Sequence, residues 1–596
     1  MAEPTVPSSI PSQAGTPVTA SGATSELITP SSDQNILQYK YNSLPHNVEI
    51  YLQNSGLINA PEAERHRINP AAIINLSITD SLNDWVVGGS LTLMFVPEGT
   101  PFKTTGGQTQ NTKTKGAIET GKNISSYQFR ADGYDYLRVC IKPINTSKDK
   151  KSNLGETGNK RIPELQTEDP KWFLSYLFSI TNIEDITDIP ELKGPMGPYM
   201  KCLRLSFHDC RYQMLRTTNL EYSTGLSPEK NEGSNLYNNG TLPTGKALLE
   251  IFNKVLTNAE IGGAPGLGIT PTPEKWDNGI GEIFYTSPAQ SSAEDDVEYL
   301  LANHVSSIPL GPAQESVGPP SPNQPRDICV LHTERPTSLT QLEPICLSPL
   351  TNFFKKAGKA EPGPLQYEHF FVTGDTDGSN SPTNTFKAPV ATNSQGQVDI
   401  TTAKYHQIIS YSFVDIAPLI NSDNFRTTPV HSVDLRERKF RIDFKANEIK
   451  TARKAITDAY ITNNLYLEQA ADTGNFLLQI HKSKEKSNIF PTFSLNADNP
   501  LLRQRNGLHK LLYTGIFQNQ CICFSVLGLT LRESGVFIGI DKTVGATSND
   551  YNNKLYGQWF VIKVDHVFEG GTYINNIYAI KMHRSKPLEV PFKEVL

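Results

Sequence analysis

The stretch "GQWFVIKVDHVFEGGTYINNIYAIKM" (residues 557–582) reads as two β-strands around a tight turn. Aromatic and β-branched residues crowd both halves, and such residues suit a pleated, half-buried surface. Successive strand side chains point to opposite faces, so Trp559, Val561, Lys563 and Asp565 share one face and Phe560, Ile562, Val564 and His566 the other. The first face is mixed in polarity. The second is mostly apolar, which predicts that Val564 packs into a core. "EGGT" supplies two glycines for the reversal, and Tyr573, Asn575, Ile577 and Ala579 continue on the return strand. His566 reads as a strand residue at a sheet surface or interface.

The same patterning recurs outward from this hairpin. "YHQIISYSFVDIAPLI", "HSVDLRERKFRIDF", "NQCICFSVLGLTL" and "GVFIGID" carry period-2 alternation or β enrichment, with one helix expected near "NEIKTARKAITDAYI". Near the front, "AAIINLSITDSLNDWVVGGSLTLMFV" predicts two strands separated by turn residues, and "YDYLRVCIKPI" and "WFLSYLFSITNIEDI" continue the β pattern. "KCLRLSFHDCRYQMLRTT" predicts a strand leading into a helix. Polar loops such as "NTSKDKKSNLGETGNKR" are long for a compact domain and suit partner-facing excursions. Between the two β-rich regions the chain is mixed. Residues 244–257 predict a helix with Leu248, Leu249, Phe252 and Val255 on one stripe, while residues 258–326 are Gly/Pro-rich with little periodicity. "LSPLTNFFKKAG" and "YEHFFV" predict a short helix and a strand.

The expected fold is therefore mainly β with some helix (α+β). The expected organisation is an extended arm at 1–35, a first β-rich domain with long loops at 36–215, a mixed middle at 216–400 and a second β-rich domain with one inserted helix at 401–596. The arm is Pro/Ser/Thr-rich and too polar to fold alone, so it is expected to order only on assembly.

At 596 residues the chain is long enough for about two to five structural units. A net charge of −6 gives no electrostatic footprint for nucleic-acid binding. No run approaches the roughly 18–20 apolar residues that span a bilayer, and the first residues lack the basic and apolar regions of a signal peptide. Seven cysteines, at 140, 202, 210, 329, 346, 521 and 523, include no C-x-x-C pair, so reduced core thiols and assembly in a reducing cytoplasm are expected. Cys521 and Cys523 fall on one strand face.

The strongest chemical look-alike is "GTLPTGKALLE" (240–250), one substitution from a phosphate-binding loop. A working loop hangs from a buried parallel strand, whereas "NEGSNLYNNG" before it is polar and turn-forming. Ala247 lacks the hydroxyl that holds Mg²⁺, and Pro243 stiffens the loop. It predicts a plain loop-to-helix start, with Thr244 as the N-cap and Lys246 dispensable. "GGAPGLG" (262–268) is punctuation, and Asp375 and Asp377 in "GDTDGSN" lack the spacing and closing Glu of a calcium loop. His208, Asp209 and Cys210 are adjacent, yet strand neighbours point to opposite faces, which argues against a catalytic pair. No catalytic, cofactor-binding or metal-ligating residue is assigned, and no cofactor is implied.

"AAIINLSITDSLNDWVVGGSLTLMF", "LLRQRNGLHKLLYTGIFQNQ", "GLTLRESGVFIGID" and "YNNKLYGQWFVIKVDHVFEGGTYINNIYAIKM" together resemble the baseplate hub proteins of T-even-type contractile-tailed bacteriophages. That group also includes the spike-base proteins of type VI secretion. The matching units fall on Leu76–Phe95, Leu531–Asp541 and Gly557–Lys581. The resemblance covers about half of the chain and implies a non-enzymatic structural protein of the virion tail baseplate. It implies a homotrimeric ring in which each subunit supplies two tube-like β-barrel domains flanking the mixed middle. Such a ring joins the tail tube protein to the central spike protein, adjoins baseplate wedge proteins and lines the DNA exit channel without binding DNA specifically. The competing expectation is a tail-associated glycan-binding or glycan-hydrolase protein. Tyr405, Tyr411, Phe413, Trp559 and Phe560 lie within strand patterns, which favours core packing over glycan binding.

Overall fold

The computed structural model describes residues 36–37, 46–54, 56, 60, 65–69, 72–82, 85–95, 101–103, 109–111, 129, 135–143, 173–186, 201–220, 222–224, 242–256, 275–280, 282–283, 285–309, 326–336, 342–350, 352–353, 369–373, 407–414, 430–434, 439–443, 521–542, 555, 557–569 and 572–581. The arm (1–35), the helix expected near 446–460, "GGAPGLG", "GDTDGSN", Tyr405 and the segment 501–520 lie outside them.

The strands run in chain order. β1 (Ile36–Leu37), β2 (His46–Gln53), β3 (Arg65–Arg67), β4 (Ile73–Ser81), β5 (Gly88–Phe95), β6 (Pro101–Lys103) and β7 (Thr109–Asn111) come first. β8 (Tyr136–Pro143), β9 (Leu174–Asp185) and β10 (Lys201–Asp209) follow, and β10 leads directly into helix α1 (Cys210–Thr217). The middle holds β11 (Leu242–Pro243), α2 (Thr244–Leu256), β12 (Glu282–Ile283), α3 (Ala293–Ala302), β13 (Cys329–Thr333), β14 (Ile345–Pro349) and β15 (His369–Thr373). The last set is β16 (Ser410–Val414), β17 (Val430–Asp434), β18 (Lys439–Asp443), β19 (Cys521–Leu527), β20 (Phe537–Lys542), β21 (Gly557–Glu569) and β22 (Thr572–Lys581).

The molecule is mainly β. Fourteen strands share one sheet, whose path runs β1-β2-β8-β9-β10-β5-β4-β21-β22-β19-β16, with β3 beside β2 and β20 joining β15 to β21. The β15–β20 pairing is parallel and the others are antiparallel. The path is open among the described strands. The two β-rich regions of the chain do not form separate sheets, because β4 pairs with β21 from Lys563↔Ser81 to Glu569↔Asn75.

Strand β21 makes this continuity possible through a β-bulge. Its pairing with β22 shifts register between Val561 and Lys563, leaving Ile562 as the extra residue. A bulge bends its strand and reverses which side chains face inward beyond it. Before the bulge β21 borders β20, from Ile540↔Gly557 to Phe537↔Phe560; after it, the strand borders β4. The single alternation expected from the sequence therefore breaks. Trp559 and Val561 share the core with Val564, while Lys563 and Asp565 are only half-buried. The burial expected for Val564 is found, as is the common inward face of Tyr573, Asn575, Ile577 and Ala579.

Among the described residues, three apolar clusters support the sheet. One lies among β2, β4, β5, β8, β9 and β10, and the far end of the hairpin contributes Phe568 and Tyr573. A second, among β19 to β22, contains Phe524, Ile538, Trp559 and Ile577. The third packs α1, α2, α3 and the β13–β14 hairpin against Tyr136 and Leu177. Helix α2 buries Ala247, Leu248, Ile251, Phe252 and Val255. Leu249, expected on that stripe, is half-buried, because the inward face is centred on Leu248 and Ile251. Helix α3 falls in a region expected to lack periodicity, and a capping box between Ser292 and Asp295 starts it.

Two further expectations need correction. Cys521 and Cys523 do share a face, but Ile522, Phe524 and Val526 hold the core side, leaving Cys523 half-buried. Tyr411 and Phe413 are 46% and 37% exposed rather than packed inside. Their strand, β16, ends the sheet path and has only β19 as a described neighbour.

Candidate functional site

Among the described look-alike residues, Thr244, Gly245, Asp209 and Cys210 are held in structural contacts. Ahead of α2 the two residues of β11 pair antiparallel with β12, so no buried parallel strand leads into Lys246, which is exposed. Gly245 has another purpose: a Cβ there would lie 2.0 Å from the Asp277 carbonyl oxygen. The expected N-cap residue Thr244 is the first helical residue, and its Oγ1 lies 2.8 Å from His304 Nδ1.

Asp209 is the N-cap of α1 and its carboxylate accepts from the Arg211 backbone N–H at 2.8 Å and from Arg211 Nε at 2.9 Å. Burial alone would lower the Arg211 pKa, but the adjacent Asp209 carboxylate outweighs it and raises the value. Cys210 is fully buried, and burial pushes its thiol far above the ordinary range, with the Asp209 charge adding to the effect. This thiol is not an activated nucleophile.

The polar residues of the conspicuous motifs meet instead at one junction, where β4, β20, β21 and β22 come together. Asp80, from "SITDSL", accepts from the Ser534 backbone N–H and from Ser534 Oγ, both at 3.0 Å. Ser534 belongs to "LRESGVFIGID", 454 residues further along. Thr79 Oγ1 donates to Asp565 Oδ1 at 2.7 Å, and Lys563 Nζ lies 3.2 Å from the same carboxylate oxygen. The Leu82 N–H donates to the carbonyl of the bulged residue Ile562 at 2.8 Å. A backbone group freed by the bulge thus finds its partner on the other half of the chain.

Behind these contacts lies a buried polar core. His566, expected as a strand residue at a sheet surface or interface, is a strand residue and is fully buried within the chain. Its Nδ1 is 2.7 Å from Tyr573 Oη and accepts from Asn575 Nδ2 at 3.0 Å. Asn575 Oδ1 accepts from the Leu529 N–H at 2.7 Å and from Arg532 Nη1 at 3.0 Å. Arg532 also donates to the Leu527 carbonyl, and its guanidinium lies over the Phe371 ring. Gly528 abuts the Tyr573 ring, and Gly535 adopts φ +80° where Phe353 leaves no room for a Cβ.

A second charged cluster flanks the junction. Arg335 lies 3.6 Å from Glu343 and 3.5 Å from Glu533, and it donates to the Arg532 carbonyl at 2.7 Å. Burial raises the Glu343 carboxyl to about 8, more than the Arg335 charge lowers it. Arg335 stays charged: burial would lower its value, but Tyr176, Glu343 and Glu533 around it raise it.

Among the described residues this site is a set of clips between strands. Its members come from residues 79–82, 335–343, 528–535 and 562–575, and only the strand patterns around them were visible in the sequence. Among the described residues no helix is long and apolar enough to cross a membrane.

No protein-family model matches the chain. No curated protein matches it either. Among solved structures, it is similar to a tail protein from Neisseria meningitidis MC58, with a TM-score of 0.37 and 7% identity over 90% of this chain and 96% of that one. It is also similar to the 43 kDa tail protein of prophage MuSo2 from Shewanella oneidensis, with a TM-score of 0.36 and 9% identity over 89% and 96%. A Francisella PdpA–VgrG complex gives a TM-score of 0.38 and 8% identity over 91% of this chain and 60% of that one. Values at this level decide nothing about family, so the functional reading rests on the chain's own residues.

Proposed function

We propose that this chain is the structural hub of a contractile-tail baseplate, a homotrimeric ring that joins the tail tube to the central spike and lines the DNA exit channel. The observation that carries this reading is the convergence of the hub-like sequence units. Leu76–Phe95 lies more than 400 residues before Leu531–Asp541 and Gly557–Lys581, yet the three fall on β4–β5, the β20 segment and β21–β22, which adjoin one another. Their polar residues clip these strands to each other through Asp80–Ser534 and Thr79–Asp565.

A hub needs a stiff wall rather than a reaction centre, and the junction spends its titratable groups on holding strands together. In this proposal the two tube-like barrels of each subunit are built on the β-rich regions that β21 links. Wedge proteins contact the outer loops, and passing DNA meets the inner wall without specific recognition.

The test is the symmetry of the purified full chain and its place in tail particles. Electron micrographs should show a threefold ring, and a tag on the chain should label the junction of tube and spike. A monomer that never forms rings, or a label confined to fibres, would overturn the assignment.

A further inference from the structure

Away from the strand junction, three chain segments close on a compact group of donor atoms beside the start of α2. Asp277 is held from both sides: its N–H donates to the Leu347 carbonyl at 2.8 Å, and the neighbouring Trp276 Nε1 donates to Gly245 O at 2.8 Å. The Asp277 carboxylate accepts from Cys329 Sγ at 3.1 Å, from Ser306 Oγ, and from the N–H groups of Gly279 and Ser307. His304 presents Nε2 4.0 Å from Asp277 Oδ2. One ligand atom from each of Asp277, His304 and Cys329 lies within 4.8 Å of the others, and Asp277 and His304 are buried.

We propose that Asp277, His304 and Cys329 form a structural site for a zinc-class divalent cation. Zinc takes imidazole nitrogen, thiolate sulfur and carboxylate oxygen in a tetrahedral shell, in which neighbouring ligand atoms stand roughly 3.3–3.8 Å apart. The separations of 3.1 Å and 4.0 Å around Asp277 Oδ2 bracket that range, and all three ligand atoms lie within 4.8 Å of one another, so seating a cation needs side-chain shifts of up to about 1 Å. The thiolate and the carboxylate together balance a double positive charge. On binding, the Cys329 S–H bond breaks, a sulfur–metal bond forms and the proton leaves to solvent, with water or Ser306 Oγ taking the fourth position. Thr244 acts as a positioning residue. Its Oγ1, 2.8 Å from His304 Nδ1, accepts the Nδ1 proton and turns the Nε2 lone pair towards Asp277 and Cys329.

A bound cation would tie the segment 275–280, the segment after α3 and strand β13 together, with the start of α2 joined through the contact of Thr244 with His304. The nearby trio of His332, Glu334 and Cys346 is a poorer candidate. Both His332 ring nitrogens lie within hydrogen-bond distance of other groups, the Thr333 carbonyl and Ser348 Oγ, and Glu334 pairs with Lys275.

Cobalt(II) titration of the chelator-treated full chain tests the site, because a cobalt–thiolate bond gives a near-ultraviolet charge-transfer band. One equivalent should develop the band, and zinc should displace it. Cys329→Ser should abolish the band, and Cys346→Ser should leave it. Thr244→Val should keep the circular dichroism spectrum and raise the cobalt dissociation constant about 10- to 100-fold, so the test does not depend on Cys329→Ser folding. Absence of the band, its survival in Cys329→Ser, its loss in Cys346→Ser or wild-type affinity in Thr244→Val would each overturn the proposal and leave a metal-free hydrogen-bonded cluster.

Discussion

Val564 is 1% exposed and packs in the cluster that contains Phe524, Trp559 and Ile577. Val564→Asp would bury a carboxylate without a partner, which costs on the order of 3 kcal/mol or more. Denaturant unfolding of the full chain should show that loss, and the ring proposed above should fail to form with it. Lys563→Ala, on the half-buried face over the Tyr578 ring, should stay within about 1 kcal/mol of wild type. Gly528 offers a second test at this scale. A Cβ there would sit 2.2 Å from Tyr573 Cγ, and the ring is pinned by stacking on Phe568 at 4.0 Å and by its hydroxyl at His566. Gly528→Ala should therefore cost about 1–3 kcal/mol by overpacking. Glu343 adds a pH dependence of definite sign. Its folded value of about 8 lies above the ordinary 4.5, so the folded chain binds more protons here across that window. Its contribution is full below the ordinary value and is lost as pH rises through the folded one. Glu343→Gln should raise the melting temperature relative to wild type by at least about 2 °C more on the alkaline side of the window than on the acid side. An offset that does not change with pH would show that Glu343 is ionised throughout.

At the scale of elements, the clip between β4 and the turn before β20 is the feature to measure. Asp80 accepts from the Ser534 N–H and from Ser534 Oγ, and Ser534→Ala removes only the second bond, so a double-mutant cycle of Asp80→Ala with Ser534→Ala should give a coupling of about 0.5–1.5 kcal/mol for the hydroxyl bond. Additive effects would mean that the Ser534 hydroxyl adds nothing to the clip beyond the backbone N–H bond to Asp80. Strands such as β8, β9, β19 and β22 were legible in the sequence because alternation leaves a mark within a few residues. The bulge at Ile562 was not, since an extra residue changes neither composition nor apolar content while reversing every face beyond it. Helix α3 is short and flanked by Gly/Pro-rich sequence, and the Ser292–Asp295 capping box was the signal that could have placed it. The exposure of Tyr411 and Phe413 follows from the place of β16 in the sheet, which local pattern does not encode. The junction was legible only as separate strands. Contacts across 454 or 486 residues leave no local trace, and a buried His566 reads like any polar strand residue.

For the whole molecule, the decisive property is that one strand serves two cores. The end of β21 carrying Trp559 belongs to one cluster and the end carrying Phe568 to another, so the two β-rich regions are coupled through its backbone. Hydrogen exchange should detect this coupling. Amides of β4 and β22 should share one protection level, and Val564→Asp should lower both together. Loss of protection in β22 alone would show that the regions open independently.

The pairing of β4 with β21 also sets a timetable at the ribosome. Thr79 must wait until Asp565, 486 residues later, has emerged before that edge of the sheet is covered. At about 5–20 residues per second this is a delay of roughly 25–100 seconds. Throughout it β4 presents open backbone hydrogen-bonding groups, the kind of edge on which nascent chains aggregate. Messages truncated before codon 557 should therefore yield chains that depend on chaperones and precipitate without them. Supplying the missing hairpin as a separate peptide should restore their solubility.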